Sequence, residues 1–135
     1  MTDRSPGRTL LLILVPMLAV ATSQRLYLHL IPIRHVYVAT YLVHHLFTGV
    51  LIVVPAAFVL AFGARSRLSA LVAPIALGIG SGMVLDEVAY LVATDGSDAG
   101  YRSTVSLWGA VVLLSLATLL LLVLYALRRK GPLVP

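Results

Sequence analysis

Residues 69–93 read SALVAPIALGIGSGMVLDEVAYLVA, an apolar run broken near its end by two adjacent acids, Asp86 and Glu87. A helix that spans a bilayer needs about 20 largely apolar residues, and this stretch meets that length. Working outward with the same 3.6-residue period, three further segments qualify, at about 9–30, 37–63 and 105–127. The spacing predicts an all-α membrane protein, four transmembrane helices in one up-down bundle over residues 1–135. The breaks carry turn chemistry: Pro32 and Arg34, then Gly63 to Arg67, then the polar run Thr94 to Gly100.

Composition agrees. The chain is 60% hydrophobic and 11% charged, against roughly 25% charged in soluble domains. It has no cysteine, which excludes disulfides, thiolate metal sites and thiol redox chemistry. The net charge of +5 does not point to nucleic acid, because the bases form no face interleaved with aromatics. Seven of the ten basic residues are Arg4, Arg8, Arg65, Arg67, Arg128, Arg129 and Lys130, and these flank apolar segments on one side. The positive-inside rule then puts both termini and the 63–68 hinge in the cytoplasm, with anionic lipid headgroups as partners. Residues 8–22 also fit a signal peptide, with Ala19-Val-Ala21 as its cleavage pattern, but the following residues continue the helix and favour an uncleaved span. A bundle this small is expected to self-associate.

The polar residues inside the apolar segments carry the functional signal, since each ionisable group in lipid needs a partner or a purpose. His44 lies about seven residues, or roughly 10 Å, below the outer end of the second segment at 1.5 Å per residue. Asp86 lies about as far below the outer end of the third, which runs the opposite way. His44-His45 and Asp86-Glu87 are therefore expected at one depth. Tyr37, Tyr41 and Thr48 share the helical face of the histidines; Ser81 or Gly82, Tyr90 and Thr94 share that of the acids. Gln24, Arg25, His29, Ser106 and Trp108 add polar groups from the outer segments. Gly78 and Gly82 form a small-xxx-small pair suited to close helix packing.

Imidazole nitrogens and carboxylate oxygens suit Zn²⁺, Fe²⁺ or Mn²⁺, so His44, His45, Asp86 and Glu87 are the candidate metal ligands. Adjacent helical residues point about 100° apart, which favours one His and one acid as ligands, their neighbours orienting them or binding a second ion. An ion with an open position would activate water for hydrolysis of a lipid, amide or ester at the interface. Glu87 as general base and Arg102 as holder of an anionic headgroup are then the candidate catalytic residues.

The run His44-His45-Leu-Phe-Thr-Gly49, with Gly78-Ile-Gly-Ser-Gly-Met-Val-Leu-Asp86-Glu87, resembles a largely uncharacterised family of small prokaryotic integral membrane proteins. Its members pair an HHxxxG motif with a Gly-rich helix ending in LDE, followed by a short outer loop like Gly100-Tyr-Arg-Ser103. The resemblance covers about residues 35–112 and implies a shared polar site in a prokaryotic plasma membrane. It implies no activity.

Two other readings stand beside the metal site. In the first, Arg25 neutralises Asp86 or Glu87 in a structural network, and Tyr27, Tyr37, Tyr101 and Trp108 are interfacial anchors. In the second, the cluster relays protons or binds a cation; a bis-His haem would need His29 opposite His44 or His45, at a different depth. Soluble-enzyme patterns such as HExxH and GxSxG are absent.

Overall fold

The computed structural model describes residues 6–31, 37–39, 41–63 and 66–129. The expectations resting on Arg4, Pro32, Arg34, Arg65 and Lys130 lie outside the described residues, and of Tyr37 and Tyr41 only the backbone lies within them. In chain order the elements are α1 (Pro6–Leu30), β1 (Tyr37–Val38), β2 (Tyr41–Leu42), α2 (His45–Ala61), α3 (Arg67–Ala93), α4 (Asp98–Tyr101) and α5 (Thr104–Arg129). Three helices, α1, α3 and α5, are long and apolar enough to cross a membrane, which is compatible with an integral membrane protein. Their bounds follow the sequence reading within three residues.

The second segment departs from it. The expected helix over 37–63 starts only at His45, because β1 and β2 pair antiparallel just before it, Val38 opposite Tyr41. Ala39 between them sits at φ 55°. What remains of α2 is 17 residues, about 25 Å at 1.5 Å per residue, short of a hydrocarbon core about 30 Å thick.

Local chemistry explains the other boundaries. Ser66 and Ser69 close a reciprocal capping box at the start of α3, the Ser66 hydroxyl accepting from the Ser69 amide at 3.0 Å and the Ser69 hydroxyl from the Ser66 amide at 3.2 Å. At its other end Thr94 turns extended and its hydroxyl donates to the Tyr90 carbonyl at 2.7 Å. Gly96 then reverses the chain at φ 74°, and the Ser97 hydroxyl caps α4 by accepting from the Gly100 amide at 3.0 Å. Pro16, Pro55 and Pro74 lie inside α1, α2 and α3, a placement membrane helices tolerate when neighbours satisfy the freed carbonyls.

α3 is the hub. It packs against α1, α2 and α5, whereas α1 and α2 do not pack on each other among the described residues. Its glycines divide the work, since positions two apart on a helix face nearly opposite ways. A Cβ on Gly78 or Gly82 would run into the backbone carbonyl of Ile13 or Met17 on α1. One on Gly80 would lie 2.6 Å from the Gly49 carbonyl oxygen of α2, and one on Gly49 would lie 2.8 Å from that of Gly80. Outward, the bundle shows Leu11, Leu51, Phe62, Leu116 and Leu120, the surface a bilayer would solvate.

Candidate functional site

Asp86 and Glu87 lie two turns before the end of α3, both buried, and as helix neighbours they point to different partners. Asp86 faces α1, α4 and α5. The Arg25 Nε–H donates to its Oδ1 at 2.5 Å, and the Tyr101 hydroxyl to its Oδ2 at 2.5 Å. The same guanidinium donates to the carbonyls of Tyr101 at 3.1 Å, Asp86 at 2.8 Å and Ser106 at 3.2 Å, and to the Ser106 hydroxyl at 3.0 Å. Its Cζ also lies 4.4 Å from the Tyr101 ring centroid, within cation–π range. One arginine thereby ties α1 to α3, α4 and α5.

Glu87 faces α2. The Leu46 amide donates to its Oε2 at 2.6 Å, and the His44 Nδ1–H to its Oε1 at 2.7 Å. A carboxylate only accepts, which fixes the tautomer of His44. His44 is the N-cap of α2, in extended conformation, and its side chain makes no capping bond. The acid of α3 fills that role, placing a negative charge where the unpaired amides and the helix dipole favour one.

His45 stands between the two acids. Its Nδ1 is 3.2 Å from Glu87 Oε2 and its Nε2 is 3.4 Å from Asp86 Oδ2. Neither approach is aligned as a hydrogen bond, and Nε2 is buried without a partner. Tyr101 meets the His45 ring edge-on with centroids 6.1 Å apart, and Tyr90 lies 6.0 Å from the ring of His44.

The four expected ligand residues are thus brought together at one level, although the argument that adjacent histidines must diverge by 100° does not apply. His44 precedes the first turn of α2, so both imidazoles reach Glu87. Among the described residues no group of three or more His, Cys, Asp or Glu is arranged to hold a metal ion. Arg25 pairs with Asp86, not Glu87. Thr48 and Trp108 are exposed and stand outside the cluster, as does exposed His29, whose Nδ1 lies 2.9 Å from the Arg25 carbonyl. Arg102, the exposed C-cap of α4, is bonded to neither acid; its partners among the described residues are backbone carbonyls of α4.

Tyr101 is the main correction: it is no interfacial anchor but 3% exposed and bonded to Asp86. Burial, then the charge of Asp86, pushes its phenol above the ordinary tyrosine range. In the neighbouring loop, hydrogen bonds from Ser97 hold the exposed Asp95 carboxyl below its ordinary value. The hydroxyl of Tyr90 donates to the Gly96 carbonyl and ties α3 to that loop.

Comparison with family models, curated proteins and solved structures gives no match, so the functional reading rests on this geometry.

Proposed function

We propose that the chain is a non-catalytic, four-helix integral membrane protein of the prokaryotic plasma membrane, both termini cytoplasmic, whose buried polar cluster binds one proton and clamps α2 against α3. In this topology α2, about 25 Å long, spans together with the residues before it. The placement of the basic residues at the opposite ends of the helices supports the orientation.

The observation that carries the reading is the position of His45, with its two ring nitrogens facing two different carboxylates. Asp86 and Glu87 bring two negative charges, and Arg25 returns one positive charge. A net charge left in a low-dielectric interior is costly. One proton on the His44–His45 pair closes the balance, and on His45 Nε2 it would lie between the rings and Asp86.

A divalent ion in place of that proton is the second reading, favoured by the convergence of four ligand-type residues. One ion cannot bind both nitrogens of His45. It would take an acid with one or both imidazoles, since both rings reach Glu87. Hydrolysis has thinner support, since Glu87 is buried with both oxygens engaged and Arg102 is exposed.

The test is elemental analysis of protein purified without chelator, with unfolding midpoints measured before and after adding Zn²⁺, Fe²⁺ or Mn²⁺. The proton reading expects no stoichiometric metal and an unchanged midpoint. Metal bound in wild type and lost in both His44→Ala/His45→Ala and Asp86→Ala/Glu87→Ala would replace the proton by an ion.

A further inference from the structure

Tyr125, one turn before the end of α5, lies over Gly7 in the first turn of α1, its hydroxyl oxygen 3.6 Å from where a Cβ on that glycine would stand. The Cζ of Arg129 lies 5.8 Å from the centroid of the same ring, within cation–π range. Arg8 follows Gly7, and both arginines are exposed. One tyrosine thus gathers basic groups from opposite ends of the sequence at a single seam. Charge there is one-sided. Asp86, Glu87, Asp95 and Asp98 belong to the other end of the bundle, and the fifth acid, Asp3, lies outside the described residues. Among the described residues no acid pairs with either arginine, and the Tyr125 hydroxyl makes no hydrogen bond.

Apolar surface adjoins this charge: Leu11, one turn above Gly7, and Leu124, beside Tyr125, are exposed. A ligand that meets both surfaces carries an anion and an acyl chain. We infer that the seam between the start of α1 and the end of α5 binds an anionic phospholipid. Its phosphate accepts from the guanidinium groups of Arg129 and Arg8 and from the Tyr125 hydroxyl, and its chain lies along Leu11 and Leu124. Guanidinium forks match phosphate oxygens bidentately. The ring beneath Arg129 restricts that side chain before binding, which lowers the cost of ordering it. Tyrosine suits the level, being enriched where headgroups meet hydrocarbon.

The site requires that α1 and α5 cross the bilayer, and both are long and apolar enough to do so. It holds in either orientation and uses neither the buried polar cluster nor its proton. It also differs from the diffuse attraction that draws any basic surface to an anionic leaflet. Diffuse attraction counts charge alone. Arg67, at the start of α3, would then matter as much as Arg129, and an uncharged change such as Tyr125→Phe would not matter. Free phosphate would use the arginines and the hydroxyl without the leucines.

The full chain in uncharged detergent micelles is titrated with dioleoylphosphatidylglycerol and read by native mass spectrometry. Dioleoylphosphatidylcholine and inorganic phosphate serve as separate probes. The expected result is one saturable phosphatidylglycerol per chain and no saturable binding of the other two. Arg129→Gln and Arg8→Gln are each expected to weaken that binding about tenfold, the loss of a charge-assisted hydrogen bond. Tyr125→Phe, which keeps the ring and the net charge, is expected to weaken it about threefold, the loss of a neutral donor. Arg67→Gln leaves it unchanged. Equal weakening by Arg67→Gln and Arg129→Gln, with Tyr125→Phe silent, overturns the site and leaves diffuse attraction. Saturation by inorganic phosphate at the same concentration overturns the lipid as its ligand, and saturation by phosphatidylcholine overturns its choice of net negative charge. Absence of saturable phosphatidylglycerol binding overturns it outright. Each substituted arginine is exposed and Tyr125→Phe removes only a hydroxyl, so these variants keep the fold.

Discussion

Glu87 of α3 caps α2 from outside that helix, its carboxylate accepting the Leu46 amide at 2.6 Å. α2 has no capping side chain of its own, so its start is set by tertiary contact. Glu87→Leu leaves the first turn of α2 and His44 without acceptors. We expect a loss of roughly 1–3 kcal/mol, with Glu87→Gln falling between Leu and wild type because it keeps one acceptor oxygen. Equilibrium unfolding in mixed micelles checks the order, and equal stability of Leu and Gln variants would contradict the capping role.

Arg25 is hydrogen-bonded to Asp86, and it also bonds Tyr101 and Ser106. Arg25→Met strands a buried carboxylate, which typically costs about 3–5 kcal/mol. Arg25→Met/Asp86→Leu removes both charges and should recover part of that loss. A double-mutant cycle reads the coupling; additive effects would mean that the pair does not interact. Arg25→Lys is expected to be a poor substitute, because an ammonium cannot reproduce the fork that serves Asp86, Tyr101 and Ser106.

Gly80 and Gly49 meet backbone to backbone, and a methyl at either position has no room. Gly80→Ala should part α2 from α3 and cost about 1–3 kcal/mol by overpacking. Gly78→Ala should instead act on α1. Cysteine cross-linking between α2 and α3, compared with α1 and α3, distinguishes the two; identical disruption by both variants would contradict the division of faces.

Tyr101 donates to Asp86 only as the neutral phenol. Burial and the nearby carboxylate raise it above its ordinary value of 10.0. The unfolded chain therefore ionises first as pH rises. The contribution of Tyr101 should be complete below the ordinary value and decline above it, toward the raised folded value. Tyr101→Phe should flatten that alkaline loss in unfolding measured from neutral to strongly alkaline pH. An unchanged slope would show that the phenol does not carry it.

How far the sequence could lead depended on the kind of contact. Residues 69–93 announced a span by length and hydropathy alone; the expected meeting of His44-His45 with Asp86-Glu87 rested on a depth count that took residues 37–44 as helix, whereas α2 starts only at His45. The start of α2 was not legible, because Tyr37 to Val43 is apolar, aromatic and β-branched, a composition that suits helix or extended chain equally. Its cap comes from Glu87, 41 residues away, so no local Ser, Thr, Asp or Asn marks it. Arg25 was visible as a candidate partner, but its choice of Asp86 depends on helix rotation. Tyr101 looked interfacial because its burial comes from α4, one turn held by Ser97. That serine, three residues before Gly100, was the available signal.

The central claim is one proton held by the His44–His45 pair between two carboxylates and one arginine. The most direct measurement is the ¹⁵N spectrum of histidine side chains in the folded protein near neutral pH, wild type beside Glu87→Gln. The account predicts one imidazole protonated on both nitrogens in wild type and none at these two positions in the variant, where the remaining acid is balanced by Arg25. Two neutral imidazoles in wild type, or an unchanged cationic one in Glu87→Gln, would contradict it.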